Sequence, residues 1–205
     1  MSVLVLFASA PAHADYTPLL DGNVTEWLGF PSYVDPAESG PGFADVTNVW
    51  SADNNTSGSN GYLFLGLQFS SNIKTRSAGN HLRSIEMSFD TNSDGGADRI
   101  VRINRDTQTY QLLDGAGTTV LRTYTWGVDY ADANATGVEF RIPYADLGLV
   151  FGADQIRFTL TTTLSNSSTT PDRVPNAGFL AFDGPAVDGV GVVFAPTAAP
   201  MGPPY

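Results

Sequence analysis

The chain has 205 residues, enough for one ordinary hydrophobic core, and its 42% hydrophobic and 11% aromatic content excludes wholesale disorder. Its 21 acidic residues against 10 basic ones give a formal charge of -11, which repels phosphate backbones and anionic lipid surfaces, so no nucleic-acid partner is expected and neutral glycans or Ca2+ suit the field better. The absence of Cys excludes disulfides, thiol nucleophiles and zinc-thiolate sites, while 21 Gly and 13 Pro favour turns and strands over long helices.

From the N-terminus, residues 1–14 join a short apolar run to Ala12-His13-Ala14, the small-x-small ending that signal peptidase reads. A secreted chain, extracellular or periplasmic, is expected, although no Lys or Arg precedes the run. No stretch approaches the roughly 20 apolar residues that cross a bilayer, so no membrane insertion is expected. A single domain is predicted over 15–195, followed by a Pro- and Ala-rich tail at 196–205.

Trp27 and Trp50 each stand among apolar neighbours next to a turn and are expected in the core. Gly61 to Ser70 places Leu63, Leu65, Leu67 and Phe69 on one face and the rather apolar Tyr62, Phe64, Gly66 and Gln68 on the other, as in a central strand. In HLRSIEMSFD, Ile85, Met87 and Phe89 alternate with outward Ser84, Glu86, Ser88 and Asp90. GVEFRIP points Val138, Phe140 and Ile142 inward against outward Glu139 and Arg141, and QIRFTLTTT repeats the pattern with Ile156, Phe158 and Leu160. PYADLGL suits one helical turn after a strand. Period-2 runs separated by Gly, Asn, Asp and Ser clusters predict an all-β fold, an antiparallel β-sandwich.

The stretch FDTNSDGGAD sets Asp90, Asn92, Asp94 and Asp98 around two glycines. Short oxygen ligands at alternate positions match the first half of an EF-hand-like loop and would wrap a hard cation such as Ca2+. Position twelve of such a loop is Val101 here, where a bidentate Glu is needed, and the flanks read as strands. Two readings stay open: a hairpin that cradles Ca2+, completed by a carboxylate from elsewhere such as Asp45, or a turn built from Asx bonds and Asp-Gly geometry. A metal held there would be a structural clip, since catalysis needs an open position beside a base.

VLRTYTWG puts Arg122, Tyr124 and Trp126 on one face of a strand. Sugar C–H faces stack on flat aromatic rings and a guanidinium bonds hydroxyls, so this face is a candidate carbohydrate platform; in the alternative, Tyr124 and Trp126 belong to the core and the Leu121/Thr face is outside.

The order DGNVTEW, FADVTNVWSADN, GYLFLGLQF, FDTNSDGGAD, VEFRIPYADLGL, IRFTLTTT resembles the family-9 carbohydrate-binding modules and the related DOMON-like β-sandwiches over most of Asp21 to Thr163. The resemblance implies a jelly-roll-like pair of sheets, structural calcium at Asp90, Asn92, Asp94 and Asp98, sugar stacking on aromatic rings, and Trp27 as the packing aromatic of the opening motif.

Residues for catalysis are sparse. Of His13 and His81, the first leaves with the leader and the second reads as solvated at a loop end, and no Gly-x-Ser-x-Gly elbow is present. Glu86 and Asp90 stand about 13 Å apart along a strand, beyond the roughly 5 to 9.5 Å of glycosidase pairs, unless a cross-strand partner such as Glu139 closes the gap. The expected function is therefore a non-catalytic module that binds extracellular or cell-wall polysaccharide. A structural or adhesive surface protein, binding proteins or itself through edge strands, is the main alternative, and a glycoside hydrolase or lyase the third.

Overall fold

The computed structural model describes residues 17–30, 32–36, 41–54, 60–74, 81–132, 135–149, 155–165 and 172–183; the predicted leader, 1–14, and tail, 196–205, lie outside the described residues. The alternating runs are strands: β1 Tyr33–Val34, β2 Val46–Asp53, β3 Tyr62–Phe69, β4 Leu82–Asp90, β5 Arg99–Asn104 and β6 Thr109–Asp114. They continue with β7 Val120–Tyr124, β8 Tyr130–Ala131, β9 Gly137–Pro143, β10 Gln155–Leu164, β11 Arg173–Val174 and β12 Leu180–Asp183.

These strands form two antiparallel sheets packed as a sandwich. One has the order β1-β2-β3-β9-β8 and the other β11-β10-β4-β5-β6-β7, with β12 also paired to β10. β3 lies between β2 and β9, and both of its faces are covered, the Leu63, Leu65 and Leu67 row by the core and Gly66 on the other face by the Trp27 ring. Rows such as Leu63, Leu65 and Leu67 of β3 and Ile85, Met87 and Phe89 of β4 are buried in one continuous core. Each such side chain contributes about 1.5–3 kcal/mol by leaving water. The segment after β9 makes the expected single turn, α1 Tyr144–Leu147, and Gly148 ends it at φ 73 with its N–H on the Ala145 carbonyl. No helix among the described residues is long and apolar enough to cross a membrane.

The outer face of the five-stranded sheet corrects the alternation read for β9. Trp50, Gly66 and Glu139 form one cross-strand row, and the indole of Trp27, delivered by a 3-10 turn at Val24–Trp27, lies directly on it. A Cβ at position 66 would stand 3.0 Å from Trp27 Cε2, so glycine lets the indole lie this close without being displaced. Glu139, expected outward in water, faces outward but is fully buried beneath the N-terminal segment. Trp27 and Trp50 are buried as expected, at 0% and 3% exposure.

Candidate functional site

The Asp-rich stretch is a hairpin connection between β4 and β5, closed by the Asp98 N–H on the Phe89 carbonyl at 2.8 Å. Its oxygen-bearing side chains converge, and most of their bonds are to the loop itself. Asp98 Oδ2 accepts from the N–H and hydroxyl of Thr91 at 2.8 and 2.9 Å and from the Asn92 N–H at 3.2 Å. Asn92 Oδ1 accepts from the Asp94 N–H, and Asp94 Oδ1 from the Gly96 N–H. Asn92 turns its amide NH2 toward Asp94 and Asp98, at 3.2 and 3.1 Å. Burial works against the Asp98 carboxylate, yet the Thr91 and Asn92 donors hold its pKa below the ordinary value.

Asp90 differs from its neighbours. It is 2% exposed, its Oδ2 accepts from the Gly95 N–H at 3.0 Å, and its buried Oδ1 has no hydrogen-bond partner. That orphan oxygen fits a cation; the Asn92 amide, with its donors facing the carboxylates, does not. Among the described residues no three acidic or His side chains stand grouped for a metal. Asp45 is at the far end of the sheet: the Ala44 carbonyl takes the Thr162 hydroxyl, and Thr162 pairs with Ile85, five strand residues or about 17 Å from Asp90.

The structure does not bring Arg122, Tyr124 and Trp126 into one platform. Tyr124 is buried at 7% exposure with its ring 4.5 Å from that of Tyr110, and its hydroxyl donates to Asp146 of α1 at 3.0 Å. Arg122 bonds both oxygens of Asp146 at 2.8 Å and lies 5.5 Å from the Tyr124 ring. The pull of the core on the Tyr124 ring takes it out of solvent, and Leu121 on the other face is left exposed. Trp126 lies beyond β7, half-buried, with its ring 4.2 Å from that of Tyr130.

Trp126 lines a cleft of about 200 Å3 together with Lys74, Arg105, Gln108 and Asp132. Arg105 and Gln108 come from the β5–β6 turn, Lys74 from the segment after β3, and Asp132 from the residue after β8. Arg105 is a buried cation: its Nη1 donates to the Ile73 carbonyl at 2.8 Å, and its Nε and Nη2 donate to Asp132 Oδ2 at 3.2 and 2.9 Å. The Tyr130 hydroxyl donates to the same oxygen at 3.3 Å. Gln108 is held at φ 53, a left-handed backbone that costs a residue with a Cβ. A half-buried aromatic face beside rigid donors and acceptors is an arrangement that can hold a small polar ring.

Arg105, Gln108, Lys74 and Asp132 are absent from the sequence-predicted site. They come from three loops, and the sole local signal is that Arg105 opens a tight turn, where Asn104 Oδ1 accepts the N–H groups of Asp106 and Thr107. His81 is not simply solvated: its ring is 16% exposed, with Nε2 2.6 Å from Asp106 Oδ1. Glu86, paired with Arg102 at 2.7 Å, and Glu139 belong to different sheets and face away from each other. With sheets packed about 10 Å apart, they do not make a glycosidase pair.

Neither a family model nor a curated protein matches the chain.

Proposed function

We propose that the protein is a secreted, non-catalytic sandwich that binds extracellular or cell-wall polysaccharide at the Trp126 cleft. One observation carries this reading: Trp126 is half-buried against Tyr130, on the wall of a cleft whose other described groups are polar and include the hydrogen-bonded pair Arg105 and Asp132. Pyranose C–H faces stack on such a ring, and fixed donors and acceptors select among hydroxyls. In this reading Ca2+ at the Asp90 to Asp98 loop is a clip. The orphan Oδ1 of Asp90 supports it, and the loop lies at the opposite end of β5 from the cleft, six strand residues or about 20 Å away. Isothermal titration against soluble glucans and xylans tests the reading, with Trp126→Ala as control: binding heat that the variant loses supports it, and no heat with any glycan removes it.

A structural or adhesive role has one observation in its favour. Among the described residues β7 is an edge strand, paired with β6 alone, and its Val120 and Leu121 are 48% and 50% exposed. Sedimentation over a concentration range tests it; a strict monomer rules out self-association through this edge.

A further inference from the structure

Resting on the glycan reading, we propose that Asp129 is the positioning residue of Trp126: its carboxylate locks the crossover between the two sheets and so holds the indole in place for a sugar ring. The first ground is where the crossover runs. Among the described residues β7 is at the edge of the seven-stranded sheet and β8 at the edge of the five-stranded one, and Trp126 lies in the segment 125–129 that passes from the first to the second. A ring on such a connector is held only as firmly as the connector itself.

The second ground is how Asp129 closes that segment. Its Oδ2 accepts the N–H of Thr125, the residue before Trp126, at 2.9 Å, and its Oδ1 accepts Arg141 Nε of β9 at 2.9 Å. One carboxylate thus joins the end of one sheet to a strand of the other. The backbone of Asp129 serves the same end, with its N–H on the Thr125 carbonyl at 2.8 Å and its carbonyl on the Arg141 N–H at 3.0 Å. Arg141 is braced in turn, its guanidinium 4.6 Å from the centre of the Tyr62 ring. The Asp129 and Arg141 side chains are 18% and 28% exposed, so water has limited access to the pair. On the far side of Trp126, the Gly127 N–H donates to the Tyr130 carbonyl at 2.9 Å, and the Tyr130 ring backs the indole. The near side depends on Asp129.

Asp129 is not among the described residues that line the cleft, so it acts through Trp126 and not by touching the ligand. A ring ordered in advance loses less freedom on binding, which for one side chain is worth about threefold to tenfold in affinity.

The chain carries its own probe for the test. Of its three tryptophans, Trp27 and Trp50 are 0% and 3% exposed, so acrylamide reaches Trp126 first. Parent, Asp129→Ala and Asp129→Asn are compared; the Asn variant keeps an oxygen for the Thr125 N–H and gives up the charge that holds Arg141. Acrylamide quenching and nanosecond anisotropy decay of the accessible tryptophan, without ligand, read the ring, and titration with the soluble glucans and xylans above reads affinity. Asp129→Ala is expected to raise the quenching, to add a nanosecond depolarisation, and to weaken binding about threefold to tenfold, with Asp129→Asn between it and the parent. Far-ultraviolet circular dichroism and the unquenched emission of Trp27 and Trp50 establish that each variant folds, and if Asp129→Ala does not, Asp129→Asn decides. Parent-like quenching and anisotropy in a folded variant overturn the proposal, as does a loosened ring with unchanged affinity. If the parent binds no glycan, the glycan reading falls, and the ring measurements alone decide whether Asp129 positions Trp126.

Discussion

The indole Nε1 of Trp27 donates to Oε1 of Glu139 at 2.6 Å, joining residues 112 positions apart. The other carboxylate oxygen accepts the N–H groups of Asp21 and Gly22 at 3.0 and 2.6 Å. The DGNVTEW segment thus closes over the outer face of the five-stranded sheet by satisfying one buried acid with three donors. Apolar burial of Trp27 on Gly66 and the carboxylate bonds act together, since an unpartnered buried carboxylate would cost several kcal/mol.

Replacing Trp27 by Phe keeps a ring over Gly66 but removes the donor and leaves Oε1 of Glu139 buried without it. The expected loss is about 1–3 kcal/mol, read as a lower urea midpoint with an unchanged slope. A loss below about 0.5 kcal/mol would mean that the indole N–H contributes little to the latch.

The fold was legible because period 2 is a local property: Ile85, Met87 and Phe89 declare their face without knowing their neighbours. Glu139 was misplaced by the same rule, since alternation assigns a face but cannot tell whether another segment covers it. Tyr124 and Trp126 share a strand face in sequence and part in the structure, because Asp146 and Tyr110 draw Tyr124 inward while Trp126 lies past the strand end. The cleft was the least legible feature, because Lys74, Arg105 and Asp132 meet only when three loops converge.

Gln108 occupies a left-handed backbone position on the cleft rim. Glycine adopts φ 53 without the Cβ clash, so Gln108→Gly is expected to raise stability by about 0.5–1 kcal/mol while weakening glycan binding through loss of the amide. Thermal denaturation and titration on the same preparation check both parts. A variant that is destabilised would mean the Gln108 side chain holds the turn, and unchanged affinity would place the amide outside the binding contacts.

Calcium at the β4–β5 loop predicts a thermal midpoint that rises with excess Ca2+ and falls with chelator. At about 100 times Kd, linkage gives roughly 2.7 kcal/mol of stabilisation, and Asp94→Ala is expected to abolish the rise. The same midpoint in Ca2+ and in chelator would leave the loop as a turn held by its own hydrogen bonds.

Two acids should act on stability in opposite pH directions. Burial raises the Glu139 pKa above its ordinary 4.5 despite the donors from Trp27, Gly22 and Asp21, so the folded state takes up a proton before the unfolded chain does. Its contribution is complete below the ordinary value and is lost as pH rises through the raised one. Asp98 runs the other way: its pKa is below the ordinary 3.8, so its contribution is present above that value and is lost as pH falls through the lowered one. Acidification should therefore stabilise the protein as Glu139 protonates and destabilise it below about pH 4. Urea midpoints from pH 2 to pH 7 should show Glu139→Gln with a shallower gain on the first limb and Asp98→Asn with a shallower loss on the second. Profiles that parallel the parent on both limbs would mean that neither carboxylate is differently protonated in the folded and unfolded states.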